Sequence, residues 1–158
     1  MAWTLLLAAG QGNRLASATG GLAKQFLDWK GAPLYWESAL VFSRCARVEG
    51  LVFVFPEACI DEERERVAGL MRNASLGIPW KVVAGGALRQ DSVRNGLSAL
   101  PDACMEVLIH DAARPFVSPV LVNRILDGLH GEASGECIAA CIPGIPVVDT
   151  IKVMDEEK

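Results

Sequence analysis

The regular alternation of strand-like runs with amphipathic stretches constrains the fold of this chain more than any other feature. Residues 4–8 and 51–55 form apolar runs typical of strands buried on both faces of a sheet. Residues 32–47 carry apolar side chains at three- and four-residue steps, which indicates a helix. Strands that alternate with helices predict a three-layer α/β/α fold around a mostly parallel sheet.

The same patterns extend this prediction along the rest of the chain. They predict strands at residues 80–83, 107–109, 137–142 and 147–153, and helices that begin at Asp61, Arg89 and Ser118. The helix from Arg89 is expected to end at residue 100, before Pro101. Ser118 precedes Pro119, which is the usual order of an N-cap and a first helical residue. No repeat or linker interrupts the chain, so we expect one domain over residues 1–158.

Composition excludes several classes of protein. The chain has 158 residues, 51% of them hydrophobic, and a chain of this size can bury a core without disulfides or a structural metal. Its formal net charge is −4, and it contains no block of five or more lysines and arginines. Nucleic-acid-binding proteins usually carry a cluster of basic residues, which this sequence lacks, so we expect no nucleic-acid partner.

Cysteine usage and the N-terminus indicate a cellular compartment. The five cysteines show no Cys-x-x-Cys spacing, which argues against a disulfide framework and a zinc site. The N-terminus has no basic region, and no apolar stretch approaches the roughly eighteen residues that a membrane span needs. We therefore expect a cytoplasmic protein with no membrane partner.

The turn after the first predicted strand is rich in small residues. Residues 8–14 read Ala-Ala-Gly-Gln-Gly-Asn-Arg, and such a turn lets backbone N–H groups approach phosphate oxygens. Arg14 and Lys24 supply positive charge nearby in the sequence. The dinucleotide fingerprint fails because its third glycine would fall at Leu15, and the P-loop fails because no Lys-Ser or Lys-Thr follows Gly12.

Two later loops also follow predicted strands. Residues 84–92 read Ala-Gly-Gly-Ala-Leu-Arg-Gln-Asp-Ser, where Ser92 can face the binding crevice or, alternatively, Asp91 or Ser92 caps the next helix. Residues 110–116 read His-Asp-Ala-Ala-Arg-Pro-Phe, and Asp111 is suited to hold Mg²⁺ against a triphosphate. Its alternative role is to pair with Arg114 in a turn, and His110 is expected to be structural.

Taken in order, these loops resemble the 2-C-methyl-D-erythritol 4-phosphate cytidylyltransferase family along the whole chain. The first motif is shared by many sugar nucleotidyltransferases, whereas Asp-Ser-Val-x-Asn-Gly-Leu and His-Asp-Ala-Ala-Arg-Pro-Phe narrow the resemblance to this family and its ribitol-5-phosphate relatives. The resemblance implies a Rossmann-like, GT-A-like nucleotidyltransferase fold. The motifs are Leu-Ala-Ala-Gly-x-Gly-x-Arg at 7–14, Lys-Gln-Phe at 24–26, Gly-Gly at 85–86, Arg-Gln-Asp-Ser-Val-x-Asn-Gly-Leu at 89–97, His-Asp-Ala-Ala-Arg-Pro-Phe at 110–116 and Pro-x-x-Asp-Thr-Ile-Lys at 146–152.

The resemblance implies transfer of CMP from CTP to 2-C-methyl-D-erythritol 4-phosphate, with release of pyrophosphate, in non-mevalonate isoprenoid biosynthesis. Mg²⁺ or another divalent cation would be the cofactor. Arg14 and Lys24 would stabilise charge on the α-phosphate while the acceptor attacks. The residues whose backbone would wrap the CTP phosphates are Ala8, Ala9, Gly10 and Gly12.

The remaining site residues implied by the resemblance serve the base, the metal and the acceptor. The Gly86 backbone and the Ser92 side chain would read the cytosine edge, with Arg89 beside them. Asp111 would bind the metal and orient the nucleotide. The residues that would face the sugar phosphate are Arg114 and Thr150.

The chain departs from the family pattern in two respects. Ala23 stands where family members usually have proline before the lysine. The family also continues past residues 149–152 into a projecting arm that forms a homodimer, so the domain is expected to be truncated on its C-terminal side. The open alternatives are a ribitol-5-phosphate cytidylyltransferase, a piece of a fusion with the next cyclase of the pathway, and a CTP-binding fragment without catalysis.

Overall fold

The computed structural model describes residues 1–10, 22–131 and 138–146. The chain divides into two compact units, Met1–Asn123 and Arg124–Lys158. In chain order the elements are β1 (Ala2–Leu7), β2 (Asp28–Trp29), β3 (Ala32–Pro33), α1 (Leu34–Ser43), β4 (Val48–Phe55), α2 (Ile60–Asn73), β5 (Trp80–Ala84), α3 (Arg89–Ser98), β6 (Glu106–Asp111) and α4 (Pro119–His130).

The first unit is built on a four-stranded parallel sheet with the strand order β5-β4-β1-β6. The two central strands are the most apolar, and Leu5, Leu6 and Val52 are fully buried. Successive side chains of a strand point to opposite faces, so this pattern shows that both faces of the sheet are covered. The predicted parallel sheet is confirmed.

Helices cover the two faces of the sheet. On one face, the α1 rings of Tyr35 and Trp36 lie 6.0 and 6.4 Å from the ring of Phe53 in β4. On the other face, Gly96 of α3 packs so closely that a Cβ built on it would lie 2.9 Å from the Leu5 side chain. The predicted α/β/α layering is therefore confirmed.

The sheet register brings the carboxyl ends of its strands to one edge. Leu7 at the end of β1 pairs with Val54 on one side and with Asp111 on the other. Phe55 at the end of β4 pairs with Ala84 at the end of β5. The loops that follow β1, β5 and β6 consequently start side by side.

The predicted helix over residues 32–47 begins later and ends earlier than expected. Residues 32–33 instead pair with Asp28–Trp29 in a short antiparallel hairpin, and α1 starts at Leu34. The hairpin turn has Lys30 at φ 57° and Gly31 at φ 83°, the left-handed backbone that two-residue hairpin turns require. These two strands were not predicted from the sequence.

The predicted strand over residues 137–142 is wrong for its described part, because residues 138–142 have no regular structure. A strand needs a neighbour for its backbone and cover for its apolar side chains, whereas the side chain of Ile142 is 85% exposed. Residue 137 and the strand predicted at 147–153 lie outside the described residues. In this second unit, Cys141 packs on α4, where a Cβ built on Gly128 would lie 2.8 Å from its Sγ.

The remaining boundaries agree with the sequence prediction to within a few residues. Ser118 caps α4 as predicted, since its Oγ accepts a hydrogen bond from the Leu121 N–H at 3.2 Å.

Cys45, Cys59, Cys104 and Cys141 are free thiols. In the described ranges, no helix combines the length and the apolar character needed to cross a bilayer. The cytoplasmic location and the single domain over residues 1–158 stay predictions.

A buried polar network joins α1 to α2. The Tyr35 hydroxyl donates a hydrogen bond to Glu63 Oε2 at 2.8 Å, and Arg66 Nη1 lies 3.0 Å from Glu63 Oε1. Burial raises the pKa of Glu63, and the Tyr35 hydrogen bond and the Arg66 charge only partly offset that effect. Burial and the neighbouring carboxylate also raise the pKa of the Tyr35 hydroxyl.

The raised pKa of Glu63 gives the protein a pH-dependent stability. The folded state holds the Glu63 proton to higher pH than the unfolded state, so this carboxyl stabilises the fold at low pH and loses that contribution as pH rises. Glu63→Gln removes this titration. The free energy of unfolding of the variant should therefore rise relative to that of wild type between about pH 4 and pH 7. Urea unfolding across this range measures the difference. The exposed Glu65→Gln on the same helix is the control, and curves for Glu63→Gln that stay parallel to wild type would contradict the prediction.

Candidate functional site

The candidate site lies along the carboxyl edge of the sheet. Three loops start there, which we define as the first loop (residues 8–10), the second loop (residues 85–88) and the third loop (residues 112–118). The structure thus brings together the loops that the sequence analysis singled out. Backbone hydrogen bonds fasten their first residues to the neighbouring strands, from the amides of Ala8, Gly85 and Ala112 to the carbonyl oxygens of Val54, Phe55 and Leu7 at 2.8, 2.7 and 3.0 Å.

The first loop runs from the protein interior to the surface. Ala8 is buried, whereas Gly10 is exposed, and no atom of the described residues lies within 4 Å of a Cβ built on Gly10. The first loop therefore reaches the surface at Gly10. The predicted phosphate contacts of Gly12 and the predicted cation of Arg14 fall outside the described residues.

A buried glutamine, Gln25, contacts the first loop on the side that faces the protein interior. Gln25 Nε2 donates hydrogen bonds to the carbonyl oxygens of Ala8 and Gly10, both at 2.7 Å. Gln25 belongs to the single helical turn Lys24–Phe26, which also carries the exposed side chain of Lys24. Sequence reasoning placed Gln25 in a motif without a role. The available signal was its position between the lysine of that motif and an aromatic residue.

The second loop packs directly on the first. A Cβ built on Gly85 would overlap the Ala9 side chain and lie 2.8 Å from Ser92 Oγ, so only glycine fits here. The Gly86 N–H donates to Ser92 Oγ at 3.1 Å, and the Ser92 hydroxyl donates to the Leu88 carbonyl at 3.3 Å. The buried Ser92 side chain thus stabilises the second loop. Its single hydroxyl proton is already donated within the protein.

Asp91 performs the capping role that the sequence left open. Its Oδ2 accepts a hydrogen bond from the Leu88 N–H at 3.1 Å, immediately before α3 begins at Arg89. Its Oδ1 also pairs with Arg94 one turn later, at 3.2 Å. The local contacts of Asp91 are therefore those of the capping alternative.

Asp111 links the start of α3 to the third loop electrostatically. Its Oδ1 accepts hydrogen bonds from Arg89 Nη2 at 3.0 Å and from Arg89 Nε at 3.3 Å. Its Oδ2 lies 3.5 Å from Arg114 Nε, and its carbonyl accepts the Arg114 N–H at 2.9 Å. The Asp111–Arg114 turn contact predicted as an alternative is present. The approach of Arg89, at the start of α3, was not predicted.

His110 supports the third loop from inside the protein. Its Nε2 lies 2.9 Å from the Arg114 carbonyl and 3.3 Å from Ser38 Oγ of α1. Because a carbonyl oxygen can only accept, this nitrogen carries the proton. Burial lowers the pKa of His110, which favours the neutral ring. The contacts agree with the structural role predicted for this residue.

The protein side chains available for a cation are few. Among the described residues, no group of three or more histidine, cysteine or acidic side chains could hold a metal ion. Of the four described strands that end at this edge, only β6 ends in a carboxylate, that of Asp111, with 41% of its side chain exposed. One carboxylate together with phosphate oxygens is a common ligand set for Mg²⁺, so the site fits a cation that arrives with a nucleotide. The predicted acceptor residue Thr150 lies outside the described residues.

The contact between the first two loops can be tested by adding one methyl group. Gly85→Ala forces the second loop away from Ala9, so we expect a loss of about 1–3 kcal/mol in the free energy of unfolding, typical of overpacking. Thermal unfolding measures this loss.

The matched control is a second glycine-to-alanine change in the same protein. Gly69 lies in α2, where an added Cβ would meet only the end of the flexible Arg72 side chain, at 3.5 Å. Alanine has the higher helix propensity, so Gly69→Ala should be neutral or stabilising by up to about 1 kcal/mol. Equal effects of the two substitutions would contradict the packing argument.

Solved structures share the α/β fold of this chain. It is similar to 4-diphosphocytidyl-2C-methyl-D-erythritol synthase from Anaerococcus prevotii, with a TM-score of 0.65 and 21% identity, over 82% of this chain and 51% of that one. It is also similar to a Mycobacterium tuberculosis protein solved in complex with manganese, with a TM-score of 0.54 and 21% identity, over 80% of this chain and 57% of that one. The chain belongs to the IspD family, 2-C-methyl-D-erythritol 4-phosphate cytidylyltransferase, whose family model matches residues 2–158.

Curated relatives agree with this assignment. The bifunctional enzyme IspD/IspF of Oleidesulfovibrio alaskensis is 52% identical over 154 residues, which cover 98% of this chain and 37% of the relative. The 2-C-methyl-D-erythritol 4-phosphate cytidylyltransferase of Shouchella clausii is 38% identical over 152 residues, which cover 96% of this chain and 60% of the relative. The chain therefore spans little more than a third of the bifunctional relative and about three fifths of the other. The predicted family is confirmed.

Proposed function

We propose that this chain is the nucleotide-binding and catalytic part of an enzyme that transfers CMP from CTP to 2-C-methyl-D-erythritol 4-phosphate. A phosphate oxygen of the acceptor bonds to the α-phosphorus of CTP. The bond from that phosphorus to the bridging oxygen breaks, and pyrophosphate leaves. The observation that carries this proposal is the convergence of the first loop, the second loop and Asp111 at one edge of a parallel sheet in a chain of the IspD family.

The first loop and two basic residues serve the phosphates in this proposal. The Ala8 N–H is already donated to the Val54 carbonyl oxygen at 2.8 Å, so the predicted phosphate contact of this amide is wrong. Backbone N–H groups of Ala9, Gly10 and Gly12 bind the triphosphate, because amides that lie outside the sheet ladder are ready donors for anions. Lys24 and Arg14 stabilise the charge that develops on the α-phosphate during attack. Transfer of this type depends on positioning and electrostatic stabilisation and needs no covalent nucleophile from the protein.

The second loop supplies the selectivity for cytosine. The proton of Ser92 is donated to the Leu88 carbonyl, so Ser92 Oγ can offer the ligand only a lone pair. The Gly86 carbonyl oxygen is likewise an acceptor. Two acceptors match the exocyclic amino group of cytosine and repel the carbonyl oxygen that uracil has in its place. We therefore expect preference for CTP over UTP.

Asp111 holds the divalent cation in this proposal, which we take to be Mg²⁺. When bound, the cation supplies positive charge against the triphosphate. The Asp111 carboxylate pairs with Arg89 and Arg114, and these side chains would have to leave it for Asp111 to hold a cation. Arg89 then lies beside the nucleotide, while Arg114, together with Thr150, faces the sugar phosphate of the acceptor.

The test is release of pyrophosphate by the full-length protein and by the 158-residue chain, with CTP, Mg²⁺ and each acceptor. We expect turnover with 2-C-methyl-D-erythritol 4-phosphate, and we expect the full-length protein to be a homodimer by light scattering. A thermal shift with CTP and Mg²⁺ well above the shift with ATP would support the nucleotide assignment.

Each other outcome points to a specific alternative. Turnover with ribitol 5-phosphate alone would replace the acceptor. CTP binding without turnover by either protein would make the chain a nucleotide-binding module. Absence of any CTP-specific shift would reject the proposed function.

A further inference from the structure

Gln25 is a buried amide whose two donor hydrogens are directed at the first loop. The residue is 4% exposed, and its Nε2 lies 2.7 Å from the carbonyl oxygens of both Ala8 and Gly10. These partners are 17 and 15 residues away in the sequence, so the contact joins two separate segments. Because both partners are acceptors, the amide nitrogen must face the loop.

We infer that Gln25 is a positioning residue that sets the orientation of the first loop for nucleotide phosphates. The inference rests on the proposed function of that loop. In a trans peptide the C=O and the following N–H point in opposite directions, and no described peptide bond is cis. When the Ala8 carbonyl turns toward Gln25, the Ala9 N–H points away from it. Gln25 thereby presents a backbone donor of the first loop on the side opposite its own buried amide.

The same contact connects the first loop to Lys24. Gln25 and Lys24 share a single helical turn whose third residue, Phe26, packs its ring 6.2 Å from Tyr35 and 6.1 Å from Phe55. This packing fixes the turn against the core, and the two Gln25 hydrogen bonds then fix the loop against the turn. The turn that carries Lys24 and the first loop with its proposed phosphate donors are thus held in one arrangement before the nucleotide binds.

Gln25→Met tests this inference in the full-length protein, because methionine has similar length but no donor. Loss of two hydrogen bonds that preorganise the loop should weaken CTP affinity, measured by titration calorimetry with Mg²⁺, by about tenfold. The KM for CTP should rise and kcat should fall, whereas the KM for the acceptor should stay within about twofold. Gln25→Glu should have a larger effect, because a carboxylate would face two carbonyl oxygens.

Tyr35→Phe is the matched control. It removes another buried hydrogen bond, to Glu63, and keeps the aromatic ring that packs against Phe26. We expect this variant to lower Tm while CTP affinity remains at the wild-type value. Hydrogen exchange of the amides in residues 8–10, measured without CTP, should accelerate in Gln25→Met and not in Tyr35→Phe.

The outcomes separate this inference from the proposed function. If wild type binds CTP and Gln25→Met lowers only Tm, with CTP affinity within about twofold, Gln25 is merely structural and the inference is wrong. If wild type does not bind CTP, the proposed function fails and the inference fails with it. Should Gln25→Met not fold, Gln25→Asn retains the amide but shortens its reach, and unchanged CTP affinity in that variant would equally overturn the inference.

Discussion

Asp111→Asn in the full-length enzyme is expected to lower kcat for CMP transfer by about a thousandfold, the upper range for loss of one electrostatic group at a reacting phosphate or carbonyl. Asparagine preserves the size of the side chain and can still accept a hydrogen bond from Arg89. It removes the negative charge that the proposed site offers to a divalent cation. The concentration of Mg²⁺ needed for half-maximal pyrophosphate release should rise at the same time.

Asp91→Asn is the control for this substitution. Asp91 is a neighbouring aspartate that pairs with an arginine, Arg94, but its carboxylate caps α3 and serves no ligand in our proposal. The side-chain oxygen of asparagine can still accept the Leu88 N–H, so this variant should keep its rate within about threefold of wild type. If Asp111→Asn kept its rate to within about tenfold, the turn with Arg114 would be the main role of Asp111.

The order and type of most elements could be predicted because burial leaves a strong sequence pattern. The central strands β1 and β4 are apolar on both faces, and the Ser-Pro pair marks the start of α4. The hairpin of β2 and β3 was missed because each strand has only two residues and its turn lacks the common Asn-Gly signal. The apolar run at residues 138–142 resembled a strand, but periodicity cannot reveal whether a pairing partner exists.

The candidate site could be predicted to the level of its loops and no further. Parallel strands all present their carboxyl ends at one edge, so the residues after three predicted strands had to lie near each other. The contacts of Gln25 with the first loop, and of Arg89 with Asp111 across 22 residues, depend on the exact paths of the loops. Sequence spacing carries no information about such contacts.

The arginine pairs of Asp111 also have a consequence for the order of binding. A carboxylate that already contacts two guanidinium groups has less charge to offer a free cation. A triphosphate attracts the same guanidinium groups, so it favours their release from Asp111. We therefore expect the cation to bind together with the nucleotide and weakly without it.

Lys24→Ala is the second substitution with a large expected effect, a loss of about a hundredfold in kcat. Lys24 is exposed, and its backbone belongs to the turn that Gln25 ties to the first loop. Its charge is needed most in the transition state, when the α-phosphorus has a fifth oxygen neighbour. The kcat should therefore fall further than the CTP affinity. Pyrophosphate release at saturating CTP and a separate binding titration measure the two effects.

Lys30→Ala is the control for Lys24→Ala. Lys30 is another exposed lysine, on the β2–β3 turn, and its ammonium lies 5.5 Å from the Trp29 ring centroid. Its removal changes the net charge by the same amount but removes no proposed phosphate contact, so its rate should stay within about twofold of wild type. A loss below about threefold in Lys24→Ala would remove Lys24 from the catalytic residues, whereas an equal loss in Lys30→Ala would show that net charge rather than position is what matters. A large loss in Lys24→Ala alone would identify the turn at residues 24–26 as part of the catalytic apparatus, since only a fixed charge stabilises a transition state more than the bound substrate.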